Sequence, residues 1–439
     1  MAAAIVSILS MAVLGLPVAL AVDRRARGPL LIGTAFLYGS GLVFFVLLAL
    51  SVLHIRWTLM SVTVAGLALM VGCWLFVVRR AEPPRPTTND QRPTPHVLDF
   101  ITVLTLAGYS LYATLAPLWE WDYWAIWGLK ARVFLERGGI DWRFLESRWN
   151  VFAHPDYPLL VPLNYDFAAL IGGGWSDRWL GVLFVAWAAA ALLIVRGLAA
   201  LELTPLAASL VTLATASVAL SAYVGLAEGP LIAFGAAGVL FVRRAILFDD
   251  AAAWCHGALL LGLAANAKNE GLALLVAVGI AVAILKPRML LRLWPAAALA
   301  APWLILRAAH VLPTDIVAGS VFVRIAARLP YAVPMARFLL ERLYQPWFWL
   351  ALVAGIVIAP AARRRREAFV LIVTALQLAF FITSYLATPH DPRWHIATSW
   401  PRLTVQLALP ITFATIMMLA VSFPGVEESA DAEARSEQQ

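Results

Sequence analysis

Apolar runs of roughly twenty residues recur from one end of this chain to the other, and that is the length a helix needs to cross a hydrocarbon core of about 30 Å. Short polar stretches separate them. With 62% hydrophobic and only 13% charged residues among 439, the chain carries more apolar surface than one water-soluble core hides. Membrane-spanning strands would alternate in character over about ten residues, whereas runs such as 258–265 and 297–306 do not alternate. Helices satisfy their own backbone in lipid. The expected fold is all-α, a polytopic transmembrane bundle of about thirteen spans with a juxtamembrane helical layer on the outer face. The spans fall near 3–22, 30–52, 58–78, 98–118, 178–196, 204–222, 225–243, 252–267, 270–286, 292–310, 346–361, 367–387 and 403–423.

Basic residues in short loops resist translocation and so mark the cytoplasmic side. Arg24, Arg25 and Arg27, then Arg79 and Arg80, Arg196, Arg243 and Arg244, Lys286 with Arg288, and Arg363 to Arg366 all fall on alternate turns. The opposite, outer face then receives 119–158, 223–228, 268–270, 310–345 and 388–402, which hold almost every unusual polar cluster. The expected location is the cytoplasmic (inner) membrane, multi-pass. Arg24 and Arg25 follow the first span, and no basic residue precedes it, so it reads as an uncleaved anchor.

The net charge of +7 suits contact with anionic membrane lipids and argues no nucleic-acid partner. Two cysteines in apolar spans, Cys73 and Cys255, suggest neither a disulfide nor a zinc site. A Pro-, Arg- and Thr-rich stretch from Arg79 to Pro95 reads as a linker, and the tail from Glu427 is acidic. The chain thus divides into three leading helices plus linker (1–97), a main transmembrane module (98–423) and a disordered tail (424–439).

Between Trp119 and Arg132 two carboxylates, Glu120 and Asp122, stand among five large aromatics. Such a segment reads in two ways. It is an aromatic belt at the bilayer surface, with Asp122 capping a helix that runs to Arg137 and ends at Gly138-Gly139. Or one carboxylate is a general base whose proton affinity is tuned by low dielectric and nearby charge. Asp122 is the better placed of the two, at the helix entrance.

Cations gather on the same face. Only three of thirty-three basic residues are lysines, and Lys130 and Lys268 both lie in outer segments. Lys268 and Glu270 either close a turn as a local ion pair or meet a substrate phosphate and sugar. Ser399 as a cap and Pro401 in a first turn would leave Arg402 at the amino end of the last span. There the helix dipole, free amides and guanidinium fork suit phosphate, although an arginine reaching for head groups fits the same position. His154 and Asp156 sit beside prolines in a turn. Glu228 flanks a short outer turn and is a weak candidate for the same cavity. Between His310 and Gln345 the chain is amphipathic and reads as an interfacial helix that gates or seals the surface.

Trp121 to Arg132, Trp-Asp-Tyr-Trp-Ala-Ile-Trp-Gly-Leu-Lys-Ala-Arg, resembles the first outer loop of bacterial GT-C glycosyltransferases of the family-39-like, polyprenyl-phosphate-sugar-dependent kind. His154-Pro155-Asp156-Tyr157-Pro158 resembles their His-x-Asp-Tyr-Pro element, and Lys268-Asn269-Glu270-Gly271 their Lys-Asn-Glu-Gly turn. Trp394 to Ser399, followed by Arg402-Leu403, resembles their late outer loop. The likeness runs from about residue 98 to 423. Two departures stand out: three helices precede the acidic loop, and Glu120 is not adjacent to Asp122 as in the Asp-Glu pair of better-known members.

The resemblance implies an inverting transfer of sugar from a polyprenyl-phosphate donor to a hydroxyl on the outer face, with the acceptor a glycan, lipid or protein. Asp122, with Glu120 nearby, would be catalytic. Lys130, His154, Asp156, Tyr157, Lys268, Glu270, His395 and Arg402 would bind substrate. No cofactor is required; a divalent metal lacks a ligand spacing, though Glu120, Asp122 and Asp156 are the carboxylates that would gather for one. The competing reading is a transporter or flippase of a lipid-linked intermediate, which also needs outer cations but wants polar groups at mid-membrane. A non-enzymatic scaffold comes third.

Overall fold

The computed structural model describes residues 2–79, 95–116, 118–220, 224–314, 320–343 and 345–419. The linker at 80–94, Tyr223 and the acidic tail lie outside them. The leading helices are α1 (Ala2–Val22), α2 (Gly28–Val52) and α3 (Leu59–Arg79), followed by α4 (Val97–Leu115). Three short helices come next: α5 (Gly128–Arg137), α6 (Trp142–Glu146) and α7 (Leu160–Gly172). The middle of the chain forms α8 (Val182–Ala200), α9 (Pro205–Ala219), α10 (Glu228–Phe248), α11 (Ala251–Ala267), α12 (Asn269–Leu285) and α13 (Trp294–Ala309). The last part holds α14 (Val321–Arg328), α15 (Ala332–Glu341), α16 (Pro346–Ile358), α17 (Ala361–Ala387) and α18 (Pro392–Leu419), and no strand occurs among the described residues.

Among the described residues, eight helices are long and apolar enough to cross a membrane, and six apolar stretches are shorter. The chain is a multi-pass helical membrane protein. Each of the about thirteen expected spans overlaps a helix, and eight described helices meet both the length and the hydropathy that a crossing needs. The unforeseen apolar helix is α7. Pro162, Asn164 and Asp166 interrupt its hydropathy, yet all three are buried inside the protein, where Asn164 bonds to Ser40 of α2 instead of meeting lipid.

The leading helices share the bundle's interior. α1 and α2 meet backbone to backbone, since a Cβ on Gly39 would stand 1.6 Å from the Met11 carbonyl oxygen and one on Gly15 would stand 1.9 Å from that of Ala35. Small residues permit such approach between helices in lipid. A buried polar knot then ties α2 to α7 and α8. The Ser40 hydroxyl donates to Asn164 Oδ1 at 2.8 Å, Trp187 Nε1 donates to that hydroxyl at 3.1 Å, and Asn164 Nδ2 returns a bond to the Ser40 carbonyl at 3.1 Å.

Among the described residues, buried ion pairs gather towards both ends of α10. At one end Arg243 bonds Glu202 at 2.8 Å and Glu367 at 2.5 Å, with Arg196 on Asp99 at 3.0 Å and Arg244 on Asp250 at 3.1 Å nearby in the fold. At the other end of α10 stands Glu228, fifteen residues away, which is about 22 Å along a helix. The basic turns of the sequence thus sit opposite the polar segments. Contacts gather those polar segments at one end: Asp122 with Arg402, Lys268 with Glu228, Asp156 with Arg307, and Glu146 with His310.

A candidate site of alternating charge

A single residue separates α11 from α12. Lys268 is extended (φ −158°, ψ 156°), and the two helices fold back so tightly that a Cβ on Gly271 would lie 2.0 Å from the Ala264 carbonyl oxygen. This break turns the Lys268 ammonium into the bundle. It meets Glu270 Oε1 at 2.9 Å and Glu228 Oε1 at 2.9 Å. Glu228 opens α10 and is wholly buried. Its Oε1 also accepts from Arg402, from Nε at 2.8 Å and at 2.7 Å from Nη2. That same Nη2 reaches Asp122 Oδ2 at 2.6 Å. The result is an unbroken chain of alternating charge, Asp122–Arg402–Glu228–Lys268–Glu270, drawn from four remote parts of the sequence.

Glu120 stands at its margin. Its carbonyl accepts from Trp124 N at 3.1 Å; its side chain makes no hydrogen bond or ion pair with any described residue, yet it feels Arg402, Asp122 and Glu228. Burial raises its carboxyl above the ordinary carboxylate value; Arg402 opposes the rise, and the two neighbouring carboxylates add to it. Including Glu120, two cations face four carboxylates. Glu228 Oε2 and Glu270 Oε2 are both buried without a hydrogen-bond partner.

Two local expectations need correction. α18 begins at Pro392, so Ser399 lies inside it and donates to the His395 carbonyl at 2.6 Å instead of capping. Arg402 therefore projects from a helix interior, without free amides around it; the guanidinium alone supplies the positive charge. Asp122 is not a cap either. It has helical backbone angles and no side-chain bond to the following amides, and the chain continues through a π-helical turn, Tyr123–Trp127, into α5. Such turns re-aim side chains and favour functional sites. Gly138 ends α5 in the left-handed conformation (φ 72°), as the sequence suggests.

The other anticipated residues form a second group beneath the aromatic loop. The Lys130 ammonium donates to the His154 carbonyl at 2.6 Å and lies over the rings of Trp127 and Tyr157, at 5.4 and 5.7 Å from their centroids. His154 takes a left-handed backbone (φ 47°), and its ring stacks on Tyr157 at 4.6 Å. Asp156 is buried and pairs with Arg307 at 3.3 Å. Among the described residues, no group of three or more His, Cys, Asp and Glu side chains is arranged to hold a metal. His395 bonds Thr388 Oγ1 at 2.9 Å and meets the Tyr385 ring edge-on at 5.0 Å, one layer behind Arg402.

Burial lowers the Lys130 ammonium from 10.5 to about 7, with Asp156 opposing. Between those values the unfolded chain binds the proton that the folded protein has released, so stability should rise as pH climbs from about 7 towards 10.5. Thermal unfolding in detergent across that range checks this. Lys130→Met should flatten the profile, and an unchanged slope in that variant would assign the effect elsewhere.

Arg324 and Arg328 do not reach the charge chain. Arg324 donates to the Ala387 carbonyl at 2.6 Å, and Arg328 to those of Leu386 and His390 at 3.2 and 3.0 Å. Both cap the carboxyl end of α17, where cations are favoured. This fixes α14 along the end of the bundle with Phe322 and Val323 exposed.

The sequence places Glu228 near this cavity only weakly and gives Asp177 no role. Glu228 is the hub of the charge chain; a lone Glu at the start of an apolar run reads equally as a helix-end charge. Asp177 anchors the aromatic loop, accepting from Tyr123 at 2.5 Å, from Trp175 at 2.9 Å and, through its two oxygens, from Arg132 Nη2 at 2.9 and 2.8 Å. Hydrogen bonds and the Arg132 charge hold its carboxyl below the ordinary value despite burial. Comparison with models of protein families, with curated proteins and with solved structures finds no match to this chain.

Proposed function

We propose that this is a membrane glycosyltransferase of the GT-C type, moving a sugar from a polyprenyl-phosphate carrier to an acceptor hydroxyl on the outer face with inversion. One observation carries the reading: Arg402 Nη2 touches Asp122 at 2.6 Å and Glu228 at 2.7 Å, and Lys268 reaches the same Glu228 oxygen at 2.9 Å, so a candidate base and two cations form one connected site. Asp122 would take the acceptor proton as the anomeric carbon gains positive character. Arg402 and Lys268 would meet the charge building on the departing phosphate. Lys130, His154, Asp156 and Tyr157 support the loop that carries Asp122, and Glu270 and His395 hold Lys268 and the start of α18.

The rival reading, a transporter, wants charge along a path through the bundle. Here the ion pairs gather near the two ends of α10, which favours an enzyme working at one surface. The test is release of lipid phosphate when the purified protein, in nanodiscs, meets a panel of polyprenyl-phosphate sugars and acceptor extracts. Release that needs Arg402 is the expected result. Release undiminished in Arg402→Ala, or donor translocation without cleavage, would overturn the proposal.

A further inference from the structure

The two cations of the site already share an anion. Lys268 Nζ, Arg402 Nε and Arg402 Nη2 all converge on one oxygen, Glu228 Oε1, at 2.9, 2.8 and 2.7 Å. The other oxygen of that carboxylate is buried and accepts nothing. A carboxylate placed for its own solvation spreads its bonds over both oxygens. This one is instead a single oxygen held in a cationic fork, as a phosphate oxygen would be.

We infer that Glu228 is a built-in occupant of the anion seat: an incoming phosphodiester displaces its Oε1 from between Lys268 and Arg402, and Glu228 takes up a proton from solvent as it leaves. This deepens the glycosyl-transfer reading and rests on it. Charge requires the proton. The groups facing Glu228 are Lys268 and Glu270 from the α11–α12 junction, Arg402 from α18, and Asp122 and Glu120 from the segment before α5. Tyr385 of α17 lies behind Glu270 and Arg402, and α8 presents Phe184 beside Gly229. These groups are already in carboxylate excess, so a further anion is repelled unless one carboxylate is neutralised. Once parted from both cations and left buried beside a phosphate, Glu228 is the carboxylate that environment disfavours most as an anion.

The carboxylate therefore keeps the cations ordered before the donor arrives and makes donor binding depend on pH. The experiment uses a long-chain polyprenyl phosphate methyl ester, a phosphodiester whose single charge stays fixed, binding to the full chain in phosphatidylcholine nanodiscs from about pH 5.5 to 8.5. Affinity of the wild type should rise about tenfold for each unit the pH falls, the slope of one proton taken up. Glu228→Gln should bind more tightly than wild type at the alkaline end and show a flat profile. Glu120→Gln should keep the wild-type slope. A flat wild-type profile overturns the inference without need of any variant, as does a slope lost in Glu120→Gln but kept in Glu228→Gln. Binding that is indifferent to Arg402→Ala would instead overturn the phosphate reading itself.

Discussion

An Asp122→Asn protein should insert and unfold like the wild type yet transfer sugar about 10²- to 10⁴-fold more slowly, the usual worth of a general base. Asparagine preserves the shape of the side chain, and its Oδ1 can still accept from Arg402 Nη2, which now lies 2.6 Å from Asp122 Oδ2. What disappears is a basic oxygen. The Asp122 side chain is 26% exposed, so a hydroxyl can approach it, whereas the Glu228 side chain is 0% exposed and closed to any acceptor. Glu120→Gln should retain a measurable part of the rate, because Glu120 holds no partner in place. Initial rates of lipid-phosphate release, with thermal unfolding of each variant, decide the matter. Near-wild-type rates in both would return the Trp119–Arg132 segment to a membrane anchor.

Much of the architecture was legible because lipid imposes one rule on every exposed residue, and hydropathy records it. The rule fails where protein replaces lipid. α7 was invisible because Asn164 is solvated by Ser40 of α2, a partner 124 residues away. The start of α18 was misplaced because Trp394, His395 and Ser399 read as loop, while Tyr385 and Thr388 satisfy their side chains against a continuous helix. Within the site, Lys268, Glu270, Asp122 and Arg402 were singled out from their local motifs, and contacts do bring them together. Their pairing was not legible. Glu228 has no motif around it, and only three-dimensional convergence shows that it sits between the two cations. Arg324 and Arg328 show that a positive charge near this end of the bundle does not by itself join the site: theirs is spent on the carboxyl end of α17.

The largest effect on stability is expected at the far end of α10. Arg243 is 1% exposed and forms a fork on Glu367 and a second contact on Glu202, carboxylates that are themselves 2% and 3% exposed. The sequence offers Arg243 only as a sign of orientation, yet the fold uses it to fasten α10 to α17 and to the turn after α8. Removing one member of such a network leaves the others charged, buried and unpaired, at a cost of about 3–5 kcal/mol. Arg366 cannot fill the gap, since it approaches Glu202 only to 3.8 Å and is 41% exposed. Arg243→Ala should therefore unfold at much lower temperature in detergent, or express poorly. The triple variant Arg243→Met, Glu202→Gln, Glu367→Gln should recover most of the loss, because desolvated charge and its compensation vanish together. A single variant within about 1 kcal/mol of wild type would place the network among pairs that contribute nothing measurable. The same variant separates stability from binding: Glu228 lies about 22 Å away along α10, so the fraction that remains folded should bind the phosphodiester with unaltered affinity and pH slope.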